Sequence, residues 1–273
     1  MIKRIIQAIL SYRRPINKLT ATITYNAPSD KLHDKKIVVT GGGRGLGAAM
    51  AKKFVDEGAK VLIAGRNENT LKETAEYLGC KYLTLDVSKP ELFKTFIERA
   101  DKELEGLNVL VNNAGISLHE KTFFDVTIDT FNAQVDTNLK GNFFLTQEFV
   151  KLLQSRDEEG AILFVSSEAG ETADFRPYGF TKAAVNSMVQ GLAYLFRKEK
   201  IRVNAVAPGI TSTDMTGVGK NGNLYSGNYA SGRYYMPEEV AETACFLISD
   251  AAGCISGQII TCNNASTVNA RWK

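Results

Sequence analysis

From Lys36 onward the chain alternates short apolar runs, rich in Val and Ile, with longer stretches of helical periodicity. Lys36-Ile37-Val38-Val39-Thr40 predicts a strand, followed by a helix over Ala48–Glu57 that Gly58 stops. Lys60–Ala64 predicts the next strand and Asn69–Leu78 the next helix. Tyr82–Leu85, Val109–Val111, Ile162–Val165 and Val203–Val206 continue the strand series, with helices expected near 90–104, 127–153, 178–198 and 237–249. These strands are apolar along their whole length rather than on alternate residues, which requires cover on both faces. Apolar strands joined by helices indicate a parallel sheet, and right-handed crossovers make it a doubly wound α/β sheet in a single domain. Ligands of such sheets bind beyond the carboxyl ends of the strands, so chemistry is expected just after them.

Composition changes this picture little. Of 273 residues, 44% are hydrophobic and 23% charged, and the net charge of +3 is spread along the chain, so nucleic acid is not an expected partner. No apolar run approaches the length of a membrane span. Cys80, Cys245, Cys254 and Cys262 form no C-x-x-C pair and are expected as reduced, mostly buried thiols of a cytoplasmic protein. With His33 and His119 the only histidines, no metal site is expected. Residues 1–34 form a basic arm, carrying Lys3, Arg4, Arg13, Arg14 and Lys18 without an acidic residue before Asp30. The arm is expected to pack on the body or on a neighbouring subunit, with a hinge at Pro28-Ser29-Asp30 leading to a catalytic domain over 35–273.

The first strand runs into Thr40-Gly41-Gly42-Gly43-Arg44-Gly45-Leu46-Gly47 and then directly into a helix. Glycines there permit a tight turn and close approach to a pyrophosphate, and the helix N-terminus offers free N–H groups. The absence of Gly-Lys-Ser/Thr argues against a nucleoside-triphosphatase loop. The spacing T-G-x-x-x-G-x-G resembles the short-chain dehydrogenase/reductase family, and later motifs agree in order. They are Asn112-Asn113-Ala114-Gly115, Asn138, Ser166-Ser167, Tyr178-x-x-x-Lys182 and Pro208-Gly209. Gly232-Arg233 and Pro237–Ala241 resemble a stretch found in 3-oxoacyl-acyl-carrier-protein reductase-like members. The resemblance covers about residues 36–265. It implies a Rossmann-type fold, a nicotinamide dinucleotide, and a homodimer or homotetramer.

Cofactor choice follows from charge. The second strand ends Ala64-Gly65-Arg66-Asn67, with no carboxylate to hold ribose hydroxyls. Arg66 offers a planar fork to a 2′-phosphate and Arg44 approaches the same place, so NADP is expected ahead of NAD. Gly41, Arg44, Gly45, Leu46 and Gly47 would cradle the phosphates. By resemblance, Asp86 binds the adenine with Val87 beside it, and Asn113, Ala114 and Gly115 line the ribose wall. Pro208 and Gly209 lead to Thr213 near the carboxamide.

Tyr178 and Lys182 lie one turn apart on one helix face. A nearby ammonium favours a phenolate, so Lys182 is expected to lower the Tyr178 pKa. Tyr178 would pass a proton to or from the substrate oxygen, and Ser167 would hydrogen-bond that oxygen. By resemblance, Lys182 also holds the nicotinamide ribose and Asn138 holds a water of a proton relay. Ser167 precedes Tyr178 by eleven positions where many relatives have thirteen, which leaves Ser166 a lesser candidate. Glu168 and Glu171 are expected to face solvent. Residues 214–236, rich in Gly and Tyr, correspond to the family's substrate cover.

The reaction implied is interconversion of a carbonyl and a secondary alcohol. A 3-oxoacyl thioester is the first substrate reading and a sugar or polyol the second. A dinucleotide-binding regulator without catalysis is disfavoured by the intact Asn138, Ser167, Tyr178 and Lys182. A sugar-nucleotide epimerase or dehydratase is disfavoured by the glycine spacing.

Overall fold

The computed structural model describes residues 18–20, 29–218, 222–227, 229 and 231–269. Seven parallel strands form one sheet in the order β3-β2-β1-β4-β5-β6-β7. They are β1 (Lys36–Thr40), β2 (Lys60–Gly65), β3 (Lys81–Thr84), β4 (Val109–Asn112), β5 (Gly160–Val165), β6 (Ile201–Pro208) and β7 (Ile259–Cys262). The sequence pattern located the first six, each within a few residues. β7 escaped it because only Ile259-Ile260 of its four residues are aliphatic and the strand sits at the sheet edge.

Alternate strand residues feed two cores. Val38, Leu62, Leu110 and Ile162 point to one face, where they meet α3 (Phe93–Leu104), α5 (Asn142–Arg156) and α6 (Pro177–Leu195). Ile37, Val39, Ile63, Val111 and Leu163 point to the other, against α1 (Gly45–Asp56), α2 (Glu68–Leu78) and α7 (Pro237–Ile248). Burial on both sides is why the strands read as unbroken apolar runs. Leu32 is also fully buried in the second core, and the Glu57 carboxylate accepts from the Ser29 and Lys31 N–H groups. Glu57 is paired in turn with Lys53, which also reaches Glu242 on α7.

The helix expected over 127–153 is two helices, α4 (Ile128–Val135) and α5, joined by a π-helical turn over Asp136–Gly141. Helical periodicity passes through such a turn with little trace, so the sequence shows one helix. The wider turn brings Gly141 onto the main chain after β3, where a Cβ would lie 2.1 Å from the Val87 carbonyl oxygen.

Most of the N-terminal arm lies outside the described residues. Leu19 contacts the segment after β6, its N–H donating to Asn223 Oδ1 and its carbonyl accepting from the Leu224 N–H. The thiols are all free, but only Cys245 is buried; Cys80 and Cys262 are half-buried and Cys254 is exposed, since it lies on the turn before β7. Among the described residues no helix is long and apolar enough to cross a membrane.

Candidate active site

The strand order reverses between β1 and β4, which opens a crevice beyond their carboxyl ends. Thr40 braces the two strand ends. Its Oγ1 donates to the Val111 carbonyl at 3.2 Å and accepts from the N–H groups of Asn113 and Ala114, each at 3.0 Å. Asn113 Nδ2 donates back to the carbonyls of Thr40 at 2.8 Å and Gly41 at 3.1 Å. Gly41 turns with φ +64°, and a Cβ on Gly47 would stand 2.3 Å from the Gly41 carbonyl oxygen. Only glycine permits that approach of α1 to the loop.

The α1 N-terminus is uncapped: Arg44 makes no side-chain cap, and the first turn holds no acidic residue. The N–H groups of Gly45, Leu46 and Gly47 therefore lack intrahelical acceptors and favour an anion. This uncapped end over a cradle that a Cβ would fill fits a dinucleotide pyrophosphate. Thr213 stands across the loop, its Cβ 3.5 Å from where a Gly45 Cβ would lie.

At the β2 end, Arg66 is exposed, and Asn67 caps α2 by accepting from the Thr70 N–H at 2.9 Å. Arg44 is also exposed, 3.9 Å from the Asp214 carboxylate. Asp86 accepts from the Ser88 N–H and hydroxyl at 3.0 and 2.7 Å. Burial opposes its charge, yet these bonds and the Arg66 guanidinium hold its carboxyl below the usual range.

The chemical groups gather on α6 and beside it. Ser167, the last residue before a short 3-10 turn, accepts from the Ala169 N–H at 3.2 Å and lies beside the Tyr178 hydroxyl. The Lys182 Nζ lies 5.6 Å from the Tyr178 ring centre and donates to the Val165 carbonyl at 2.7 Å. Asn138, fully buried on the π turn, accepts from the Ile116 N–H at 2.8 Å and donates to the Ile116 carbonyl at 2.9 Å. It also reaches Thr181 Oγ1 at 3.3 Å, and Thr181 donates to the Tyr178 carbonyl at 2.8 Å. Gly115 separates the strand end from these groups: a Cβ there would lie 3.3 Å from Asn138 Oδ1 and 3.5 Å from Lys182 Nζ. Pro208 ends β6, and Gly209 donates its N–H to the Cys262 carbonyl at 3.1 Å.

Three expectations change here. Lys182 does not bring Tyr178 down. Burial pushes the Tyr178 hydroxyl up, against the opposing effects of the nearby Ser167 hydroxyl and the Arg176 charge. Burial, with no carboxylate at hand, also lowers Lys182 to about 8. Ser166 is turned away, donating to Asn186 Oδ1 at 2.5 Å with the Lys182 carbonyl 3.3 Å from its hydroxyl oxygen. Glu168 is half-buried and turned inward. It accepts from the Tyr229 hydroxyl at 2.6 Å and from Asn263 Nδ2 at 3.1 Å. Glu171 is exposed as expected, while accepting from Thr261 and Thr267.

The segment expected to cover the substrate is partly tied down, with Tyr229 and Tyr235 buried and Tyr225 exposed. Its Met215 carbonyl lies 3.1 Å from His119 Nε2, across the crevice. Sequence reasoning missed the supporting roles of Thr40, Thr181, Asn186 and Asn263. Thr40 was legible inside its glycine motif, but the others are isolated polar residues whose partners are distant in sequence.

A family model described as enoyl-(acyl carrier protein) reductase matches residues 41–264. The 3-oxoacyl-[acyl-carrier-protein] reductase of Aquifex aeolicus is 33% identical over 244 residues, covering 85% of this chain and 97% of that protein. The crystal structure of 3-ketoacyl-(acyl-carrier-protein) reductase from Brucella melitensis, complexed with NADH, superposes with TM-score 0.79 at 28% identity, over 86% of this chain and 98% of that one. A putative gluconate dehydrogenase from Agrobacterium tumefaciens superposes with TM-score 0.81 at 26% identity, over 88% and 99% of the two chains.

Proposed function

The chain belongs to the short-chain dehydrogenase/reductase family and is an NAD(P)-dependent oxidoreductase of a CH–OH/carbonyl pair, and on that premise we propose that it is an NADP-dependent reductase of 3-oxoacyl thioesters. The observation that carries the reading is the grouping of Ser167, Tyr178 and Lys182, with buried Asn138 behind them and the glycine cradle across the crevice.

A bound nicotinamide dinucleotide supplies the hydride for reduction. Gly41, Gly45, Leu46 and Gly47 would hold its pyrophosphate, and Asp86, Val87, Asn113, Ala114 and Gly115 its adenosine and ribose side. Pro208, Gly209 and Thr213 would line the nicotinamide side. Arg44 and Arg66 flank the ribose end with no carboxylate after β2, which supports NADP over NAD.

Ser167 holds the carbonyl oxygen beside the Tyr178 hydroxyl. Because burial raises the Tyr178 pKa, that hydroxyl keeps its proton at neutral pH and is ready to donate it as negative charge develops on oxygen. Lys182 carries a charge below about pH 8 and would hold the nicotinamide ribose beside Tyr178. Asn138 fixes the Ile116 main chain and, through Thr181, the turn of α6 that bears Tyr178. We read it as the anchor of a water-borne proton relay.

The loops beyond β4, β5 and β6 carry exposed Leu118, Phe175, Ile210 and Met215, apolar area that suits an acyl chain. A sugar or polyol is the second reading, and the likeness to a putative gluconate dehydrogenase favours it. Exposed Phe131, Phe143 and Phe144 on α4 and α5 support a homo-oligomer, and four unpaired cysteines suit a cytoplasmic setting.

The test is NADPH absorbance with a panel of ketones, acyl thioesters and sugars, run on the wild type and on Tyr178→Phe. Tyr178→Phe is expected to lose at least about a hundredfold in rate while binding NADPH normally. Full activity in that variant refutes the mechanism. Turnover of sugars but not thioesters selects the second reading.

A further inference from the structure

The Glu168 carboxylate stands at a junction that the hydride chemistry does not use. Its Oε1 accepts from the Tyr229 hydroxyl at 2.6 Å, and its Oε2 accepts from Asn263 Nδ2 at 3.1 Å. The Tyr229 hydroxyl in turn accepts from the Ile210 N–H at 3.0 Å, and its ring packs edge-on against Tyr235 at 5.2 Å between centres. A Cβ on Gly209 would come within 3.1 Å of Glu168 Oε2. One side chain, adjacent to Ser167, therefore joins the turns after β5, β6 and β7 to the segment read as the substrate cover. Tyr229 and Asn263 are both buried and Glu168 is half-buried, so these bonds are partly shielded from bulk water, which strengthens them.

Only a group with two acceptor oxygens satisfies both neighbours. A glutamine amide facing them turns its N–H₂ either toward Asn263 Nδ2, another donor, or toward a tyrosine oxygen already accepting from Ile210. The Asn263 amide is committed as well, since it also donates to Thr267 at 3.1 Å.

We infer that Glu168 is a positioning residue for the carbonyl/alcohol reaction, its carboxylate fastening the substrate cover to the turn that presents Ser167. The inference rests on reading residues 214–236 as that cover. Removing the carboxylate frees the cover from the Ser167 turn, so substrate is held less well while the proton-transfer groups stay in place. The charge of Glu168 also acts on Tyr178, helping to keep its proton on.

Deuterium exchange of the full chain reads the fastening without any substrate. In Glu168→Gln and in Tyr229→Phe, the amides of Ile210, Ser212, Ser226, Tyr234 and Tyr235 are expected to exchange about tenfold faster or more, the loss of one charge-assisted hydrogen bond. Exchange in β1–β4 and NADPH affinity should not change. Tyr229→Phe removes one hydroxyl and no charge, so it serves if Glu168→Gln does not fold. The double variant Glu168→Gln/Asn263→Asp restores a donor facing an acceptor and should recover much of the protection. Unchanged exchange in both single variants overturns the proposal, and so does acceleration spread evenly through β5 and β6.

With acetoacetyl coenzyme A as probe, KM should rise about tenfold in Glu168→Gln with kcat within about threefold of wild type. A wild type that does not turn over this thioester refutes the 3-oxoacyl reading alone, and the exchange pattern still decides the role of Glu168.

Discussion

Lys182 gives the sharpest stability prediction, because a buried ammonium without a carboxylate is a cost that depends on pH. Burial lowers its pKa from 10.5 to about 8. At about 1.4 kcal/mol per tenfold in the proton equilibrium, that drop destabilises the native state by about 3 kcal/mol when the lysine is charged in both states. The sign follows from proton counting. Between pH 8 and 10.5 the unfolded chain binds more protons at this site, so native stability rises with pH there and the cost fades. Lys182→Met keeps the linear side chain and removes the charge, at a constant cost for the orphaned Val165 carbonyl. Constant terms cancel when the stability difference between wild type and variant is compared at two pH values. In urea titrations of the cofactor-free proteins, wild type should gain about 2.5 kcal/mol on Lys182→Met between pH 7 and pH 10. Carbonyl reduction should be lost in the variant at every pH. A stability difference that does not move with pH would refute the claim that Lys182 is held charged against desolvation.

Other consequences are as specific. Arg66→Asp should weaken NADP binding at least about tenfold and improve NAD, measured by fluorescence titration, and unchanged NADP affinity would contradict the cofactor reading. Gly47→Ala places a Cβ 2.3 Å from the Gly41 carbonyl oxygen, so it should cost about 1–3 kcal/mol by urea titration and abolish cofactor binding. Lys53→Met leaves the buried Glu57 carboxylate without its cation, held only by Ser29 and Lys31, and should cost about 1–3 kcal/mol at pH 7. Burial works against the Glu57 charge, but its bonds to Lys53 and Ser29 bring its pKa from 4.5 down to about 2. Its contribution is therefore complete above about pH 4.5 and lost as pH falls toward 2, so the penalty in Lys53→Met should shrink in acid.

The sequence by itself determined the parts of this protein set by local rules. Six strands were legible because burial on both faces leaves unbroken runs of Val, Ile and Leu, and their order with intervening helices dictated a doubly wound sheet. The glycine loop was legible because positive φ at Gly41 and the approach of Gly47 admit no side chain. Tyr178 and Lys182 were legible as one helix face because 3.6-residue geometry is fixed. Tertiary structure decided whatever depends on what surrounds a group. It broke the 127–153 helix at a π turn whose residues keep helical periodicity, and it turned Ser166 away from the site. It moved Tyr178 up rather than down, because burial opposes its charge and residue type alone cannot reveal burial. It also drew Glu168 inward to Tyr229 and Asn263, 61 and 95 positions away, a partnership that no local pattern encodes.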